Sequence, residues 1–194
     1  MTSNAKRRGL FLDRDGVLNE LIRTDNGSTR PPWNLDEFHL FPEVVTVLSE
    51  PSLEEWVQVV VTNQPDIPRG DLTPENLEKI NVELSRMIPS IEAVFVCQHD
   101  NHDNCACRKP LPGLLISAAI DLGIDLPESF MIGDRWVDIA AGKSAGTTTI
   151  LIESAYSWLP SSAGEPPEDL EPDFTIDSIG ELPSIIRSRS RNTL

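Results

Sequence analysis

The stretch Gly9-Leu10-Phe11-Leu12-Asp13-Arg14-Asp15-Gly16 decides the fold, because a short apolar run ends directly in two acids and a glycine. Residues 10–12 are predicted to form a buried strand, and ligand sites in open α/β sheets lie outside the carboxyl ends of the strands. Since residues i and i+2 of an extended segment point to the same side, Asp13 and Asp15 are expected to face one reacting centre. One acid could attack as a nucleophile while the other moves a proton.

Taken alone, this motif leaves two other interpretations open. Asp-x-Asp-Gly is ordinary turn chemistry after a strand, and it also occurs in calcium loops. A helix-loop-helix calcium site would need further oxygen ligands and a glutamate about a dozen residues after its first position. The residues that follow Gly16 are Val17-Leu18-Asn19-Glu20-Leu21, which are too apolar for such a loop.

The rest of the chain alternates β-branched runs with helical stretches. Strands are predicted at residues 10–12, 57–61, 94–96, 130–132 and 148–152, with a weaker one at 174–176. Helices are predicted at residues 42–49, 73–87, 112–122 and 134–145. This order is typical of an α/β fold with a doubly wound, mostly parallel, Rossmann-like sheet.

The segments between these elements suggest a compact organisation. Residues 1–187 are expected to form a single domain, and residues 188–194 a polar tail without core-forming side chains. The polar segment at about 17–33 fits neither period and is expected to be a flap over the site. The Pro/Glu-rich segment 161–172 is expected to be a loose surface connection. No interval between the motifs leaves room for a cap domain, so the protein is expected to be capless.

Charge and composition narrow the possible partners. The chain has 194 residues and a formal net charge of −15, which argues against nucleic acid and anionic membranes as partners. We expect the protein to be a monomer. We also expect it to be located in the cytoplasm, because no segment has the length of a membrane span or the form of a signal peptide. Basic residues nevertheless gather at or after predicted strand ends, which suits a small anionic substrate: Arg14, Arg69, Arg108, Lys109 and Arg135.

Other predicted strand ends carry polar side chains as well. Thr62 and Asn63 follow the second strand. The hydroxyl of Thr62 and the backbone amides after the strand could bind phosphate oxygens, or they could merely cap a turn. Asp134 follows the fourth strand, with Asp138 at i+4 on the same predicted helix face, although Asp134 could also be a plain helix N-cap.

A cation is expected among these acids. The carboxylates of Asp13, Asp15 and Asp134 would repel each other at one sheet edge, and hard oxygen ligands suit Mg²⁺. Lys109, after the third strand, would add a fixed positive charge.

All three cysteines of the chain fall within eleven residues, as Cys97, Cys105 and Cys107, with His99 among them. Three thiolates and an imidazole predict a closed tetrahedral structural zinc site. The alternative is one disulfide and one free thiol, which a cytoplasmic chain disfavours. His102 is a rival ligand, but we expect it to be a solvated loop residue.

Together these motifs resemble those of the haloacid dehalogenase-like phosphatase superfamily, in the family's order and over roughly residues 9–185. The resemblance is closest to the branch that holds heptose-bisphosphate phosphatases and histidinol-phosphatases, whose zinc loop precedes Arg-Lys-Pro. It rests on Asp13-Arg14-Asp15-Gly16-Val17-Leu18-Asn19, Thr62-Asn63-Gln64, Arg108-Lys109-Pro110 and Gly133-Asp134-x-x-x-Asp138.

The resemblance implies that Asp13 attacks phosphorus and forms an aspartyl-phosphate. It implies that Asp15 protonates the leaving alcohol, then activates water, and lends a backbone carbonyl to Mg²⁺. Asp134 would bind Mg²⁺, with Asp138 behind it, and Lys109 would neutralise the nucleophile and phosphate.

For substrate binding, the resemblance implies that Thr62 and Asn63 hold the phosphoryl group and that Arg108 contacts the rest of the substrate. Arg69 could bind a second substrate anion, and Arg135 is a further candidate beside Asp134. The zinc loop 97–107 would stiffen the chain ahead of Arg108.

The implied activity is Mg²⁺-dependent hydrolysis of a small sugar phosphate, with D-glycero-D-manno-heptose 1,7-bisphosphate the expected substrate. The five residues between His99 and Cys105 favour histidinol phosphate instead, whereas Trp33, Asp66 and Arg69 favour a polyhydroxylated or doubly anionic ligand. The alternative from a different functional class is a zinc-stabilised binding module that has no catalytic activity. Retention of Asp13, Asp15, Lys109 and Asp134 together argues against it.

Overall fold

The structure of the protein is a computed structural model that describes residues 6–25 and 27–191. Its strands are β1 (Arg8–Leu12), β2 (Ile22–Arg23), β3 (Thr29–Arg30), β4 (Trp56–Asn63), β5 (Ile91–Cys97), β6 (Phe130–Gly133), β7 (Thr148–Ile152) and β8 (Phe174–Ile176). Its helices are α1 (Val44–Leu48), α2 (Asp66–Arg69), α3 (Pro74–Met87), α4 (Gly113–Leu122), α5 (Trp136–Ala145) and α6 (Leu182–Arg191).

Six of the strands form one parallel sheet in the order β5-β4-β1-β6-β7-β8. From β1 the chain builds outward through β4 to β5, and then continues on the other side of β1 through β6 and β7 to β8. The strand order therefore reverses beside β1, and ligands bind in the crevice at such a reversal. The predicted doubly wound α/β fold is confirmed, and the two acids that follow β1 lie at this crevice.

Alternate side chains of β1 enter two cores, one on each face of the sheet. Leu10 and Leu12 pack into the core that also contains Ile80 of α3. Phe11 packs into the opposite core with Leu115 of α4. Each of these side chains is buried, and burial of one such side chain stabilises the fold by about 1.5–3 kcal/mol. The carboxyl end of β1 is thus held from both faces.

The flap expected at 17–33 contains regular structure. Residues of β2 and β3 pair antiparallel, joining Ile22 to Arg30 and Arg23 to Thr29. The turn between them is closed by a hydrogen bond from the amide of Thr24 to the carbonyl of Ser28 at 2.9 Å. The sequence does not predict this hairpin, because its strands are very short and its polar residues do not alternate with the period of a strand. Residue 26 of the flap lies outside the described residues.

The two ends of the predicted domain also differ in detail. Helix α6 extends through Arg191, so residues 188–191 of the predicted tail continue a helix. Leu182 and Ile186, one helical turn apart, are buried and anchor its first half, and the polar residues simply propagate it. Residues 1–5 and 192–194 lie outside the described residues.

The described residues between β1 and β4 contain the β2–β3 hairpin, α1 and short turns, and none of them forms a cap domain. Within the described part of the chain, the helices are too short or too polar to cross a lipid bilayer.

Candidate active site

The strands β4, β1 and β6 end side by side at a cavity of about 1060 Å³. All the residues predicted to act in catalysis, substrate binding or magnesium binding line this cavity, except Asp134. Asp134 lies immediately behind its wall and is 1% exposed. The sheet topology thus brings together side chains that lie as far apart in sequence as Asp13 and Asp138.

Lys109 is the centre of the charged contacts. Its side chain is 2% exposed, and its ammonium group donates to Asp13 Oδ1 at 2.8 Å and to the carbonyl of Val61 at 2.9 Å. The same nitrogen lies 2.6 Å from Asp138 Oδ1. The lysine therefore fixes one oxygen of Asp13 and leaves the other oxygen available to a ligand.

The buried charges shift one another's pKa values. Burial raises the pKa of Asp13 to about 7, opposed by Lys109 and assisted by the charges of Asp138 and Asp15. Burial also raises the pKa of Asp134 well above its usual range, with Asp13 and Asp138 adding to the effect. Burial alone would lower the pKa of Lys109, but the charges of Asp13 and Asp138 outweigh it and raise this pKa. One ammonium group does not balance these acids, so the site favours a second cation.

Asp134 shows where that cation would bind. Both of its carboxylate oxygens are buried and lack a hydrogen bond of ordinary geometry, with the Tyr156 hydroxyl beside them, and a poorly satisfied buried carboxylate is costly. Asp13, Asp134 and Asp138 offer carboxylate oxygens within 4.8 Å of one another. Gly16, with φ of +96°, permits this approach, because a Cβ there would lie 2.0 Å from Asp134 Oδ2. This set of hard oxygen donors fits Mg²⁺.

Asp138 occupies a different position from the one its spacing suggests. Helix α5 begins at Trp136, so Asp134 precedes the helix, and the two acids do not form a helical i, i+4 pair. One oxygen of Asp138 pairs with Lys109, and the other accepts from the amide of Arg135 at 3.0 Å. Oδ1 thus makes an ion pair without a hydrogen bond, whereas Oδ2 is hydrogen-bonded, and the contact with Lys109 suits the predicted role behind the metal ligands. Gly133 makes room, because a Cβ there would lie 2.1 Å from Asp138 Cβ.

Asp15 is held by donors on three sides. Its Oδ2 accepts from Gln64 Nε2 at 2.6 Å and from Arg14 at 2.9 Å, while Asn19 Nδ2 donates to Oδ1 at 3.1 Å. Sequence reasoning did not assign a site role to Gln64 or Asn19, although both lie inside the quoted motifs. Their proximity to the acids was the available signal, but only the fold shows that they converge on Asp15.

Arg14 does not contribute to the positive surface of the cavity, contrary to the sequence-based expectation. Its side chain is wholly buried, donates to Asp15 and reaches Asn81 Oδ1 on α3 at 2.9 Å. An arginine directly after a strand can turn into the core when a carboxylate and an amide satisfy it there.

Thr62 and Asn63 complete the end of β4. The hydroxyl of Thr62 accepts from Gln64 Nε2 at 2.9 Å and lies 3.4 Å from Asp15 Oδ2. Asn63 exchanges two hydrogen bonds with the backbone of Lys109, donating to its carbonyl at 3.0 Å and accepting from its amide at 3.1 Å. Asn63 thus positions Lys109, and one of its two side-chain N–H groups remains for a ligand.

The arginines of the cavity differ in their partners. Arg69 donates to both oxygens of Asp100 at 2.8 Å and lies 3.3 Å from Asp66. Arg108 donates to the neutral acceptors Asn101, His99 carbonyl and Ser162. Arg135 lies over the ring of Tyr156, with 4.9 Å from its guanidinium carbon to the ring centroid. Arg108 and Arg135 are therefore more available to an anionic substrate than Arg69.

A set of contacts joins the flap, α2 and the loop after β5, and we call it the rim. Trp33 of the flap donates from Nε1 to Asp66 Oδ2 at 2.8 Å. Asp66, on α2, also pairs with Arg69, which holds Asp100 in the loop after β5. Trp33, Asp66 and Arg69, which favoured a polar ligand on sequence grounds, thus largely satisfy one another.

The cysteine cluster lies beside the rim. Sγ of Cys97 lies 3.7 Å from Sγ of Cys105 and 3.3 Å from Sγ of Cys107, and His99 Nδ1 lies 3.3 Å from Cys107 Sγ. The three cysteines are not joined by a disulfide in the structure, and His102 stands outside the cluster. Zinc–sulfur bonds of about 2.3 Å in a tetrahedron separate the ligands by about 3.7 Å, so these four side chains fit zinc.

Comparisons with known proteins agree with this geometry. The HAD-hydrolase-like family model matches residues 106–182. The chain is 30% identical over 195 residues to the D-glycero-β-D-manno-heptose-1,7-bisphosphate 7-phosphatase of Pasteurella multocida (strain Pm70), covering 93% of this chain and 97% of that one. It is also 30% identical to the enzyme of that name from Helicobacter pylori (strain 26695), covering 78% of this chain and 90% of that one.

A solved structure is similar as well. The D,D-heptose 1,7-bisphosphate phosphatase of B. bronchiseptica, complexed with magnesium and phosphate, superposes with a TM-score of 0.76 at 26% identity. The similarity covers 94% of this chain and 99% of that one.

Proposed function

We propose, from the premise that this chain belongs to the haloacid dehalogenase-like phosphatase family, that it is a Mg²⁺-dependent phosphatase which removes the 7-phosphate of D-glycero-β-D-manno-heptose 1,7-bisphosphate. The observation that carries the chemistry is the buried Asp13–Lys109 ion pair of 2.8 Å at the end of β1, beside the unpartnered carboxylate of Asp134. The substrate rests on the names of the similar enzymes.

Asp13 acts as the nucleophile. One of its carboxylate oxygens attacks phosphorus, and the bond between phosphorus and the sugar oxygen breaks to give an aspartyl-phosphate and the free alcohol. Asp15 supplies the proton to the departing oxygen and then accepts a proton from the water that hydrolyses the aspartyl-phosphate. The donors around Asp15 (Gln64, Asn19 and Arg14) fix its orientation for both transfers.

Mg²⁺ would be held by Asp13, Asp134 and the backbone carbonyl of Asp15, and when bound it neutralises charge on the transferred phosphoryl group. Lys109 contributes the permanent positive charge beside Asp13, and Asp138 keeps that ammonium group in place. Thr62 and Asn63 bind the phosphoryl oxygens from the end of β4, while Arg108 and Arg135 contact the anionic sugar phosphate.

A panel of phosphate esters tests the substrate directly. We expect the highest kcat/KM for phosphate release from heptose 1,7-bisphosphate, with removal of the 7-phosphate seen by NMR. Histidinol phosphate and simple sugar monophosphates are the comparison substrates. A higher kcat/KM with histidinol phosphate would replace the proposed substrate and leave the assignment of Asp13 intact. Failure of every phosphate ester would contradict the proposed function.

We also propose that Cys97, His99, Cys105 and Cys107 bind a structural zinc ion. The purified protein should contain about one zinc per chain by elemental analysis, as expected for one closed four-ligand site. Cys105→Ser should lower both the zinc content and the midpoint of thermal unfolding, because a zinc ion would cross-link the end of β5 to residues 105 and 107. Native protein without zinc, or with a cysteine bridge in its mass spectrum, would contradict this assignment.

We propose that Arg69 binds the second anion of the substrate, which would take over hydrogen bonds that its guanidinium gives to Asp100 in the structure. Arg69→Ala should raise KM for heptose 1,7-bisphosphate about tenfold or more relative to heptose 7-phosphate, since a charge-assisted contact contributes roughly 1.5–3 kcal/mol. Steady-state kinetics with both substrates measure this ratio. Thr62 and Lys109 serve the transferred phosphoryl group in both, so they do not produce such a difference.

The matched control for Arg69 is Asp100→Asn, which breaks the ion pair in the rim and keeps the arginine. If Arg69→Ala acts only by loosening the rim, the two variants will change KM alike for both substrates, and the proposed role of Arg69 will be wrong. A KM effect on the bisphosphate alone, seen only in Arg69→Ala, supports it.

A further inference from the structure

Tyr156, the sole tyrosine of the chain, lies next to the unpartnered Asp134 carboxylate. A methyl-sized group placed at Gly16 would lie 2.0 Å from Asp134 Oδ2 and 3.0 Å from the Tyr156 hydroxyl, so carboxylate and phenol border the same small space. The tyrosine is half-buried and lines the cavity from the loop after β7. No role in catalysis or metal binding follows from the motifs for this residue.

The loop that carries Tyr156 is fastened to the segment that carries Asp134. Ser157 is wholly buried, and its hydroxyl donates to the carbonyl of Asp134 at 2.6 Å. The carbonyl of Ser157 accepts from the amide of Trp136 at 3.0 Å, and the Ser157 hydroxyl accepts from the amide of Ser154 at 2.9 Å. Tyr156 is therefore held at a fixed position beside Asp134, and Arg135 over its ring restricts the ring orientation.

We infer that Tyr156 is a positioning residue of the magnesium site, whose hydroxyl donates to the Asp134 oxygen that does not face the metal. A carboxylate that gives one oxygen to Mg²⁺ needs a donor for the other, and partners of this kind orient and tune the metal ligand. Of the two groups that border this space, the phenol is the one that can donate, because a carboxylate only accepts. This inference rests on the proposed function, because it takes Asp134 as a magnesium ligand.

The phenol is also oriented by its neighbour Arg135. The guanidinium carbon of Arg135 lies 4.9 Å from the centroid of the Tyr156 ring, so Arg135 occupies the face of the ring rather than the hydroxyl.

The test compares wild type with Tyr156→Phe, which removes only the hydroxyl. Zinc-loaded protein dialysed free of Mg²⁺ is titrated with Mg²⁺, and the affinity is taken from the rise in the thermal unfolding midpoint. We expect Tyr156→Phe to weaken Mg²⁺ binding about tenfold or more, as is typical when a partner of a metal ligand is lost. Turnover should recover at high Mg²⁺, because the hydroxyl acts through Asp134 and not on the substrate.

Two further measurements sharpen the outcome. In wild type with ¹³C-labelled tyrosine, the single ring signal should shift when Mg²⁺ is added. Ser161→Ala removes another hydroxyl that lines the cavity and should leave the Mg²⁺ affinity unchanged. Equal Mg²⁺ affinities of wild type and Tyr156→Phe would overturn the inference and leave the proposed function standing. A wild type that binds no Mg²⁺ would overturn both.

Discussion

Asp13→Asn is expected to lower kcat/KM by at least about 10⁴-fold while leaving the protein folded, because loss of a nucleophile removes most of an enzyme's catalysis. The amide is nearly isosteric with the acid but cannot attack phosphorus. The fold should tolerate it, since burial already raises the pKa of Asp13 to about 7 and a neutral side chain suits that position. Phosphate release measures the loss, and circular dichroism measures the fold.

A second readout tests the same assignment without relying on rate. Wild-type protein quenched during turnover should carry a phosphate on Asp13 by mass spectrometry, and the asparagine variant should carry none. Asp121→Asn, on an exposed position of α4, is the matched control and should keep wild-type activity. Asp13→Asn activity within about tenfold of wild type, a loss of only ~1.4 kcal/mol, is incompatible with a nucleophilic role.

Removal of Mg²⁺ is expected to lower turnover about 10³-fold or more, because charge stabilisation by a metal ion is worth several kcal/mol in phosphoryl transfer. In Asp134→Asn, added Mg²⁺ should restore little of the lost turnover, because this variant lacks the buried carboxylate that we propose as a ligand. Dialysis is preferred to strong chelators, because these would also remove the zinc that we propose for the cysteine cluster. Activity over a Mg²⁺ titration is the measurement.

The control for this experiment is the zinc content, which should be the same in Asp134→Asn and wild type. If wild type keeps full turnover in Mg²⁺-free buffer, the three acids at the ends of β1 and β6 require another explanation. If Asp134→Asn responds to Mg²⁺ like wild type, the metal binds elsewhere.

Much of the site is predictable from the sequence because parallel strands impose the geometry. An apolar run that ends in polar residues marks a carboxyl end, and all carboxyl ends of such a sheet meet at one edge. Asp13, Thr62 and Asp134 can therefore be grouped from the sequence alone, and the cysteine cluster is evident from residue type and proximity. The sheet order and the Asp13–Lys109 contact agree with that reasoning.

The features that the sequence does not predict depend on the directions in which side chains point, and local sequence patterns do not determine these directions. Arg14 and Arg69 look alike as basic residues near strand ends, yet Arg14 is buried and Arg69 joins α2 to the loop after β5. Tyr156 has no motif around it, and its position depends on how Ser157 fastens the loop to the Asp134 segment. The start of α5 at Trp136 is not predictable, because Asp134 is equally acceptable as a cap.

The rim has a consequence for how specificity can change in this family. Asp66 is buried and takes its donors from both the flap and α2, so a flap grafted from a relative without the indole of Trp33 would leave a carboxylate partly unsatisfied. The ion pair between Arg69 and Asp100 links these contacts to the loop that carries the cysteine cluster, so that loop depends on them as well. The flap, α2 and the loop after β5 should therefore change together when substrate preference changes. Chimaeras that exchange all three together are expected to fold and function more often than single-loop exchanges.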